Sequence, residues 1–504
     1  MEAWIGYQWL AERYAIPPVQ PFRVDSQIGG FRGEKTINGI EHRYCPTQSH
    51  PGDSAAQHLA FALRTEGIHL EFLSRLFVKI DPSELVQWIM SEPTGQYARR
   101  ACFLYEWLTG KRLDYIGVTS GNYHSALGEE YFVATEPVNN PRWRIRDDMP
   151  GTPNFCPLIR RTQAIRDVET FNCAAEIAAL DEEFGTDLVM RSAVWLTIKE
   201  SQASFAIEHE ERHLSRIQRF ADVIGRLTGE GDNALALDAL TALQLEILGP
   251  DALRYGVRKS PIFVGEQRVT GVITHYIGPH WNEVGKMLAG LEAFTGRTSG
   301  RSSVVRAAAQ SFGFVYIHPM IDGNGRISRF LINDILRRDG AVPRPLILPV
   351  SSTILSSKKN EIAYDDVLET VSKPLVRRYA ENIVFGDHEI AEDGVEYNLH
   401  FTAYNDALHV WRYPDLTAHA EYLGRLVRET IQHEMRNEAV YLRQHRRDRE
   451  RVKEVLDGPD PEIDRIIRAV RQNGIRVSNK LKSEFPKLAD VDVERRIVEA
   501  LGNE

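Results

Sequence analysis

The sequence has 504 residues, of which 43% are hydrophobic and 26% charged, and its formal net charge is −9. This composition is typical of a soluble globular protein, and the negative charge excludes a chain that binds nucleic acid or anionic lipid over its whole surface. The length predicts about three domains, each with its own hydrophobic core.

Along the chain, the sequence pattern predicts a mainly α protein in three parts. Residues 1–165 mix helical periodicity with many breakers and end in DDMPGTPNFCP, which favours an N-terminal domain of mixed structure and unknown role. Residues 166–385 are mostly helical in pattern, with β-branched and aromatic residues near 261–277 that predict a short hairpin. Residues 386–504 predict a C-terminal helical domain.

The cysteines and the apolar segments indicate the compartment. Cys45, Cys102, Cys156 and Cys173 are far apart and form no zinc-type or disulfide pattern, so we expect buried thiols in a reducing environment. The stretch MEAWIGYQWLAERY has no basic segment followed by an apolar run, and no segment is long enough to span a bilayer. We therefore expect a cytoplasmic protein without a membrane partner.

The stretch YIHPMIDGNGRISRF, Tyr316–Phe330, concentrates reactive residue types in one short segment. Proline disfavours the helical region for the residue before it, so His318 is predicted at the exit of a helix, where its ring can leave the helix axis. Gly323 and Gly325 flank Asn324 just before a strong helical run, and such glycines let backbone N–H groups converge on an anion. The segment therefore predicts a phosphate site beside a histidine.

Two arginines and an aspartate extend this predicted site. Arg326 and Arg329 are spaced i,i+3, so they share a helix face and lengthen the anion site by roughly one turn, which is the reach of a polyphosphate. Asp322 is an oxygen ligand suited to a magnesium ion that also binds phosphate oxygens. In this arrangement His318 is a candidate general base for a hydroxyl that attacks phosphorus. Each feature alone is common in proteins, and their combination at fixed spacing is what indicates chemistry.

The segment HPMIDGNGR, with Arg329 three positions on, resembles the active-site motif of Fic domain proteins, His-Pro-Phe-x-(Asp/Glu)-Gly-Asn-Gly-Arg-x-x-Arg. Met320 stands where the family usually has phenylalanine, and methionine fills an aromatic's space without strain, so we expect activity to survive. The resemblance implies a Fic-type helical core. It also implies magnesium-dependent transfer of a nucleoside monophosphate, most often AMP from ATP, to a serine, threonine or tyrosine hydroxyl of a target protein. The chain itself is one candidate target.

Carried over by position, the family motif implies a role for each matching residue. His318 is then the catalytic base and Asp322 the magnesium ligand. The phosphate-binding residues are Gly323, Asn324 and Gly325 on the α- and β-phosphates, Arg326 near the β-phosphate and Arg329 on the γ-phosphate.

The hairpin and a later helix also resemble parts of the family. The predicted hairpin, at about 261–277, resembles the family's flap, an edge strand that pairs with the target's backbone by β-augmentation. We place its strands near Thr274–Ile277 and at the candidate target-binding residues Ile262, Phe263 and Val264. A hairpin that only covers the core is the alternative. The segment EIAYDDVLE resembles the helix near the base site, which makes Tyr364 a candidate contact to adenine.

Upstream, SQASFAIEHE resembles the inhibitory motif (Ser/Thr)-x-x-x-Glu-(Gly/Asn) of one Fic class. Ser204 and Glu208 match it, and His209 replaces the usual glycine or asparagine. The resemblance implies an inhibitory helix at about 195–213, N-terminal to the catalytic core, in which Glu208 pairs with Arg329 at the γ-phosphate position. An exposed acidic helix face, EHEERH, is the alternative interpretation.

Two further functions stay open on the sequence alone. The same site would serve the removal of AMP from a target, or the transfer of UMP or another phosphate-linked group. Basic residues outnumber acidic ones from Arg465 to Lys487, and residues 462–500 are helix-turn-helix-like, so a DNA-binding regulator is a hypothesis of another class. An ordinary terminal helical bundle explains the same pattern. A homo-oligomer is compatible with all of these hypotheses.

Overall fold

The computed structural model describes residues 3–29, 32–37, 39–249, 254–269 and 271–502. Within these ranges the chain is mainly α-helical with small β-sheets, so the predicted fold class is confirmed. None of the helices described has both the length and the apolar character that crossing a membrane requires.

Short strands form small, separate sheets. In chain order they are β1 (Ala3–Ile5), β2 (Val24–Ile28), β3 (Gly33–Ile37), β4 (Ile40–Cys45), β5 (His124–Ser125), β6 (Val138–Asn140), β7 (Ile145–Asp147), β8 (Phe263–Arg268), β9 (Gly271–Ile277), β10 (Ile383–Ile390) and β11 (Glu396–Phe401). The N-terminal sheet has the order β1-β2-β4-β3, in which only β2 and β4 are parallel neighbours. A second sheet has the order β5-β7-β6, and β8-β9 and β10-β11 are antiparallel hairpins.

Helices make up most of the chain. In order they are α1 (Tyr7–Arg13), α2 (Ala55–Thr65), α3 (Leu70–Lys79), α4 (Pro82–Ser91), α5 (Gln96–Thr109), α6 (Gln163–Thr170), α7 (Cys173–Phe184), α8 (Thr186–Ile207), α9 (Leu214–Leu227), α10 (Leu237–Leu248), α11 (Trp281–Arg297), α12 (Ser303–Ile317), α13 (Asn324–Arg338), α14 (Val350–Leu355), α15 (Lys358–Arg378), α16 (Tyr404–Arg412), α17 (Thr417–Glu429), α18 (Arg436–Lys453), α19 (Asp460–Gln472), α20 (Asn479–Glu484) and α21 (Val491–Gly502). A π-helical segment, Thr430–Met435, joins α17 to α18.

Local sequence sets several of the helix ends in the N-terminal part. Helix α2 begins with a capping box, in which Ser54 accepts from the Gln57 N–H and the Gln57 side chain accepts from the Ser54 N–H. Helix α4 begins with Asp81 as its cap and Pro82 in its first turn. Helix α5 ends at Gly110, whose φ of 67° is left-handed. These ends are of the kind that sequence alone predicts.

Three hydrophobic clusters contain most of the buried core. One draws its residues from 7–158 together with Tyr413, the largest draws most of its residues from 165–439, and a smaller one draws its residues from 452–501. Helices α16 and α17, which the sequence pattern assigns to the C-terminal part, therefore share the core of the predicted catalytic helices. The exact domain boundaries stay predictions.

Helix α12 lies at the centre of the largest cluster, because residues on all its faces are buried. Glycines let the N-terminal part approach it closely. A Cβ on Gly290 of α11 would lie 2.7 Å from the Cβ of Phe155, and one on Gly313 of α12 would lie 3.2 Å from the Phe155 ring. Phe155 therefore fills a space that two helices leave open, and it anchors the N-terminal part against the helix that leads into His318.

The C-terminal residues 462–500 fold into helices, as the pattern predicted. The candidate second helix of the helix-turn-helix, α20, is only six residues long. Basic side chains in this region pair with acids: Arg465 with Glu484, Lys482 with Glu494 and Arg471 with Asp448. Such pairing reduces the charge available to a DNA backbone, and DNA binding by this part stays a prediction.

One hydrogen bond ties α16 to the predicted flap and gives a stability test. The buried Trp411 indole donates to the Ile277 carbonyl at the end of β9, over 3.1 Å. Trp411→Phe removes the donor and leaves a buried carbonyl unpaired, so we expect it to lower the free energy of unfolding by about 1–3 kcal/mol. Chemical denaturation measures this difference.

The matched control is Trp195→Phe, because Trp195 is 54% exposed on α8. We expect it to change the free energy of unfolding by less than about 0.5 kcal/mol. Equal effects of the two substitutions would contradict the role given to the Trp411 hydrogen bond.

Candidate active site

His318 occupies the exit of α12, as its position before Pro319 predicted. It caps the helix in the left-handed region, with φ 49° and ψ 57°, which turns its ring away from the helix axis. Its Nδ1 lies 3.2 Å from the Val315 carbonyl oxygen. A carbonyl only accepts, so Nδ1 carries the proton and Nε2 is left as the basic nitrogen.

The surroundings of His318 keep its ring neutral. Burial is the main cause that lowers its pKa, to about 4, and the guanidinium of Arg258 lowers it further. At neutral pH the ring is therefore unprotonated, which is the state that a general base requires.

Arg258 is a residue of this site that sequence analysis missed. Its guanidinium is fully buried and donates to the carbonyls of His318 (2.7 Å), Ser260 (2.9 Å) and Pro279 (2.6 Å). Ser260 and Pro279 lie at the two ends of the hairpin segment, so this one side chain joins the base of the hairpin to the backbone of the candidate base. A single arginine in a loop has no periodicity or motif, so only the tertiary contacts reveal it.

The loop between α12 and α13 is held by its own amide side chain. Asn324 accepts from the Met320 N–H and donates to the Met320 carbonyl, each over 2.9 Å. Gly323 has a φ of 84°, a conformation that a side chain disfavours, and α13 begins directly after it. Met320 is fully buried beneath the loop, where it fills the space that the motif usually gives to an aromatic ring.

Gln244 of α10 is a second residue that the sequence did not indicate. Its fully buried amide donates to the Asp322 carbonyl over 2.8 Å and accepts from the Gly256 N–H over 2.6 Å. It therefore joins the phosphate loop to the segment that leads to Arg258. The sequence pattern predicted only that this region is mostly helical, and a buried glutamine in a helix has no sequence signature.

Glu208 and Ser204 contact Arg329 directly. The Nη2 of Arg329 donates to Glu208 Oε1 over 2.6 Å, and its Nε donates to Ser204 Oγ over 2.7 Å. Burial is the largest single influence on Arg329 and lowers its pKa, but Glu208, Tyr364 and Glu200 together outweigh burial and raise the pKa of the guanidinium. A Cβ on Gly325 would collide with Glu208 Oε1, so the carboxylate lies over the first turn of α13. A helix N-terminus attracts an anion, and here a carboxylate occupies it.

Arg326 also binds acids rather than standing free. Its Nη1 pairs with Glu210 over 2.7 Å and its Nη2 with Asp322 over 3.1 Å. Its Nε lies 3.0 Å from Glu208 Oε2, without the alignment of a hydrogen bond. Its guanidinium also stacks 4.9 Å from the Phe205 ring centre. Glu210, a contact that the sequence did not single out, therefore shares with Glu208 the pairing with this arginine.

The predicted inhibitory helix, 195–213, is wrong in its bounds. Helix α8 ends at Ile207, and α9 begins at Leu214. The Glu210 N–H bonds to the Phe205 carbonyl and the His209 N–H to the Ala206 carbonyl, the pair of bonds that ends a helix with a left-handed residue. His209, with a φ of 57°, is that residue.

The left-handed turn at the end of α8 explains why the inhibitory motif usually has glycine or asparagine at the position of His209. Glycine and asparagine, which the motif usually has there, adopt the left-handed region more readily than other residues. Histidine is tolerated in it more often than most side chains. The segment EHEERH is therefore not a continuous helix face, and Glu208 and Glu210 both turn toward Arg326.

Glu200 holds α8 in the position that Glu208 requires. This buried carboxylate accepts from the Ser351 N–H over 2.7 Å and from Ser351 Oγ over 2.6 Å, at the start of α14. Burial raises its pKa to about 7 against these hydrogen bonds. It lies about two helical turns before Glu208, which caps the C-terminus of α8, so the tether and the Glu208 carboxylate are connected by one helix.

The remaining predicted site residues lie around this centre. Tyr364 lies beside Arg329 and Glu208, and burial raises its pKa, so it neighbours the predicted γ-phosphate end. Its contact to adenine stays a prediction. Asp322 has a side chain that is 54% exposed beside Arg326. The part of the chain described here contains no group of three or more ligating side chains, so a magnesium ion at Asp322 would take other ligands from phosphate and water.

The two strands of the hairpin are longer than predicted. Its strands are β8 and β9, so Ile262 precedes the first strand, and residue 270 lies outside the described residues. Phe263 packs against Phe385, with ring centres 5.0 Å apart, while Val264 is exposed at a register shift. Tyr276, the register partner of Val264, has its ring centre 6.4 Å from that of His318. The open end of the hairpin, where its two strands begin and end, therefore lies next to the candidate base.

Comparison with known proteins gives a family for this region. Residues 237–336 match the Fic/DOC family model. The chain is 29% identical over 128 residues to protein adenylyltransferase fic-1 of Caenorhabditis elegans, covering 25% of this chain and 23% of that protein. It is equally similar to the protein of that name in Caenorhabditis briggsae, covering 25% of this chain and 24% of the other. The matched segment thus spans about a quarter of these relatives' length.

Among solved structures, the chain is similar to a Fic family protein from Desulfovibrio desulfuricans G20, at 20% identity. That match covers 68% of this chain and 85% of the other, with a TM-score of 0.38. The family match and the motif residues together identify a Fic domain.

The protonation state of His318 is directly measurable. In protein labelled with ¹³C-histidine, we expect the His318 NMR signal to stay unchanged from pH 8 down to about 5.5, because its pKa is about 4. His318→Gln assigns the signal, and urea-unfolded protein is the control, in which the label titrates near pH 6.5. A His318 midpoint at or above pH 6 would contradict the geometry. Arg258→Gln should move the midpoint upward, because it removes a positive charge.

Proposed function

We propose that this Fic domain protein transfers AMP from ATP to a serine, threonine or tyrosine hydroxyl of a protein, and that Glu208 restrains this activity. One observation carries the proposal. A built anion site, made of Arg326, Arg329 and the first turn of α13, holds a carboxylate of the same chain. Such a site binds phosphate by the same charge and hydrogen-bond geometry. The fic-1 relatives, named protein adenylyltransferases, support the choice of AMP transfer.

The proposed chemistry uses the neutral ring of His318. Its Nε2 accepts the proton of the target hydroxyl as that oxygen forms a bond to the α-phosphorus of ATP. The bond from the α-phosphorus to the bridging oxygen breaks, and pyrophosphate leaves. The turn at Gly323–Gly325 offers backbone N–H groups to the phosphates. Asp322 would hold Mg²⁺, which neutralises charge on the phosphate oxygens when bound.

The proposed restraint is a competition between two anions. Arg329 is buried, and its Glu208 partner is bonded to it at 2.6 Å. A γ-phosphate reaching Arg329 has to displace that carboxylate, because both need the same guanidinium donors. Linked equilibria of this kind typically change affinity by about 5- to 150-fold. Removal of Glu208 should therefore release activity within that range.

The proposed target enters along the hairpin. Val264 is exposed on β8, and strand edges of this kind pair with an extended segment of another chain. Arg258 joins the start of the hairpin, at Ser260, to the backbone of His318. A target strand paired with β8 would therefore lie close to His318.

The restraint is tested by labelling with ATP that carries a label on its α-phosphate, in the presence of Mg²⁺. We expect Glu208→Gly to raise label incorporation into protein by about 5- to 150-fold, and Glu208→Gly with His318→Ala to abolish it. Glu211→Gly is the matched control, because Glu211 is an exposed neighbour outside the arginine contacts, and it should leave labelling at the wild-type level.

Two results would overturn parts of the proposal. Equal labelling in wild type and Glu208→Gly would contradict the restraint by Glu208. Labelling that survives His318→Ala would contradict the role of His318 as the base. A third result would change the proposed reaction. If no variant is labelled from ATP but label is transferred from UTP, the site transfers UMP. If no variant is labelled from ATP but AMP is lost from a modified target, the site removes AMP.

The role of Asp322 has a separate test. On the Glu208→Gly background, Asp322→Asn should raise the Mg²⁺ concentration that gives half-maximal labelling by at least about tenfold, because it removes the only predicted protein ligand. Asp492→Asn, an exposed substitution on α21, is the control. An unchanged Mg²⁺ dependence in Asp322→Asn would contradict the assignment.

A further inference from the structure

A large cavity lies apart from the candidate active site, between the N-terminal part and the core helices. Its volume is about 820 Å³. Its walls come from the N-terminal sheet and helices, from residues 124–132, from Thr370 and Pro374 of α15, and from the loop at Tyr413. No residue of the motif 318–329 lines it. Cavities of roughly 300–1,000 Å³ hold small organic molecules.

The cavity wall is rich in arginine. Arg64 lines it as an exposed residue, and the other five arginines fall into two groups. Arg23 and Arg160 both pair with Asp415, and Arg43 pairs with Glu41. Their charges are thus compensated within the protein. The arginines of the other group form no such ion pair among the described residues.

Arg100 and Arg146 line the same cavity without a carboxylate partner among the described residues. Arg100 donates only through Nε, to the Ser125 carbonyl over 3.1 Å, so its two terminal nitrogens have no bond there. Arg146 donates only to the Tyr123 carbonyl, over 3.4 Å. Both arginines lie at β5, because Arg100 bonds to the Ser125 carbonyl and Arg146 is the register partner of Ser125. Two guanidiniums with free donors thus line the same part of the cavity wall.

Positive charges are concentrated at this part of the wall. Burial lowers the pKa of Arg100 against the nearby carboxylates of Asp148 and Glu130, and burial also lowers the pKa of His124, which Arg99, Arg100 and Arg146 lower further. Glu130 also lines the cavity, as an exposed residue. Arg100 is partly buried with no carboxylate hydrogen-bonded to it among the described residues, so an anion that enters from solution and bonds to its free N–H groups offsets part of the cost of its burial.

The rest of the wall favours a ligand with an organic part. Tyr97 lies under Arg100, with the guanidinium 5.8 Å from the ring centre, and Phe132 and Tyr413 add further aromatic surface. A lone inorganic ion would leave most of the volume unfilled. Forked guanidinium donors match the tetrahedral oxygens of phosphate.

We propose that this cavity binds a small organic phosphate, with the guanidiniums of Arg100 and Arg146 on the phosphate group and the aromatic wall against the organic part. The site goes beyond the proposed transferase function, because it shares no residue with the motif 318–329. Its failure would leave that function untouched.

The test is calorimetric titration of the full chain with phenyl phosphate, with benzoate as a carboxylate probe that carries the same phenyl ring. We expect saturable binding of phenyl phosphate, stronger than that of benzoate. Arg100→Gln with Arg146→Gln should weaken it by at least about tenfold, as the loss of charge-assisted bonds predicts. Arg326→Gln is the matched control for the catalytic anion site, and it should leave phenyl phosphate binding within about twofold.

Several outcomes would overturn the proposal. These are the absence of binding with a Kd below about 1 mM, binding that resists both substitutions, binding that is lost in Arg326→Gln instead, and equal binding of benzoate. Thermal unfolding of each variant checks its fold. If the double variant does not fold, Arg146→Gln alone decides, because Arg146 is exposed and its loss should still weaken binding several-fold.

Discussion

Two buried guanidiniums need an anion, and the organisation of the catalytic region depends on that need. Arg326 is 1% exposed and Arg329 is 3% exposed, at the start of a helix whose N-terminus also favours negative charge. Buried charge without a partner is strongly destabilising. An intramolecular carboxylate therefore completes this fold when no phosphate is bound, and Glu208 supplies it.

The surrounding structure places the Glu208 carboxylate at the two arginines and places His318 close to them. Helix α8 is tethered by Glu200 to Ser351, and it ends in a left-handed turn at His209 that directs Glu208 and Glu210 inward. On the opposite side, Arg258 holds the backbone of His318 against the hairpin ends. Glu208 and His318 thus lie at the ends of different helices, so Glu208 can move while His318 stays in place.

Sequence predicted the parts of this site that lie close together in the chain. The motif from His318 to Arg329 fixes its own geometry through proline, glycines and helical spacing, and the pairing of Glu208 with Arg329 followed from a second local motif. The residues that it missed, Arg258 and Gln244, act through contacts with distant backbone. Their neighbours in sequence give no period or spacing. The predicted end of α8 was also wrong. The residue in the left-handed position is His209, and histidine is not the signal for a helix C-terminus that glycine would have been.

The fold followed the same rule. Helical periodicity predicted a mainly α chain, and β-branched and aromatic residues near 261–277 predicted the hairpin. The length of its strands depended on cross-strand pairing, which the short-range pattern does not fix. Likewise α16 and α17 were assigned to the C-terminal part by their order in the chain, although their apolar faces pack into the catalytic core.

The central claim is that Glu208 competes with the terminal phosphates of the nucleotide and not with its AMP part. Calorimetric titration of wild type and Glu208→Gly with ATP and with AMP tests this most directly. The account predicts that the substitution strengthens ATP binding by about 5- to 150-fold while AMP binding changes by less than about twofold. An equal gain for both nucleotides, or none for either, would contradict it.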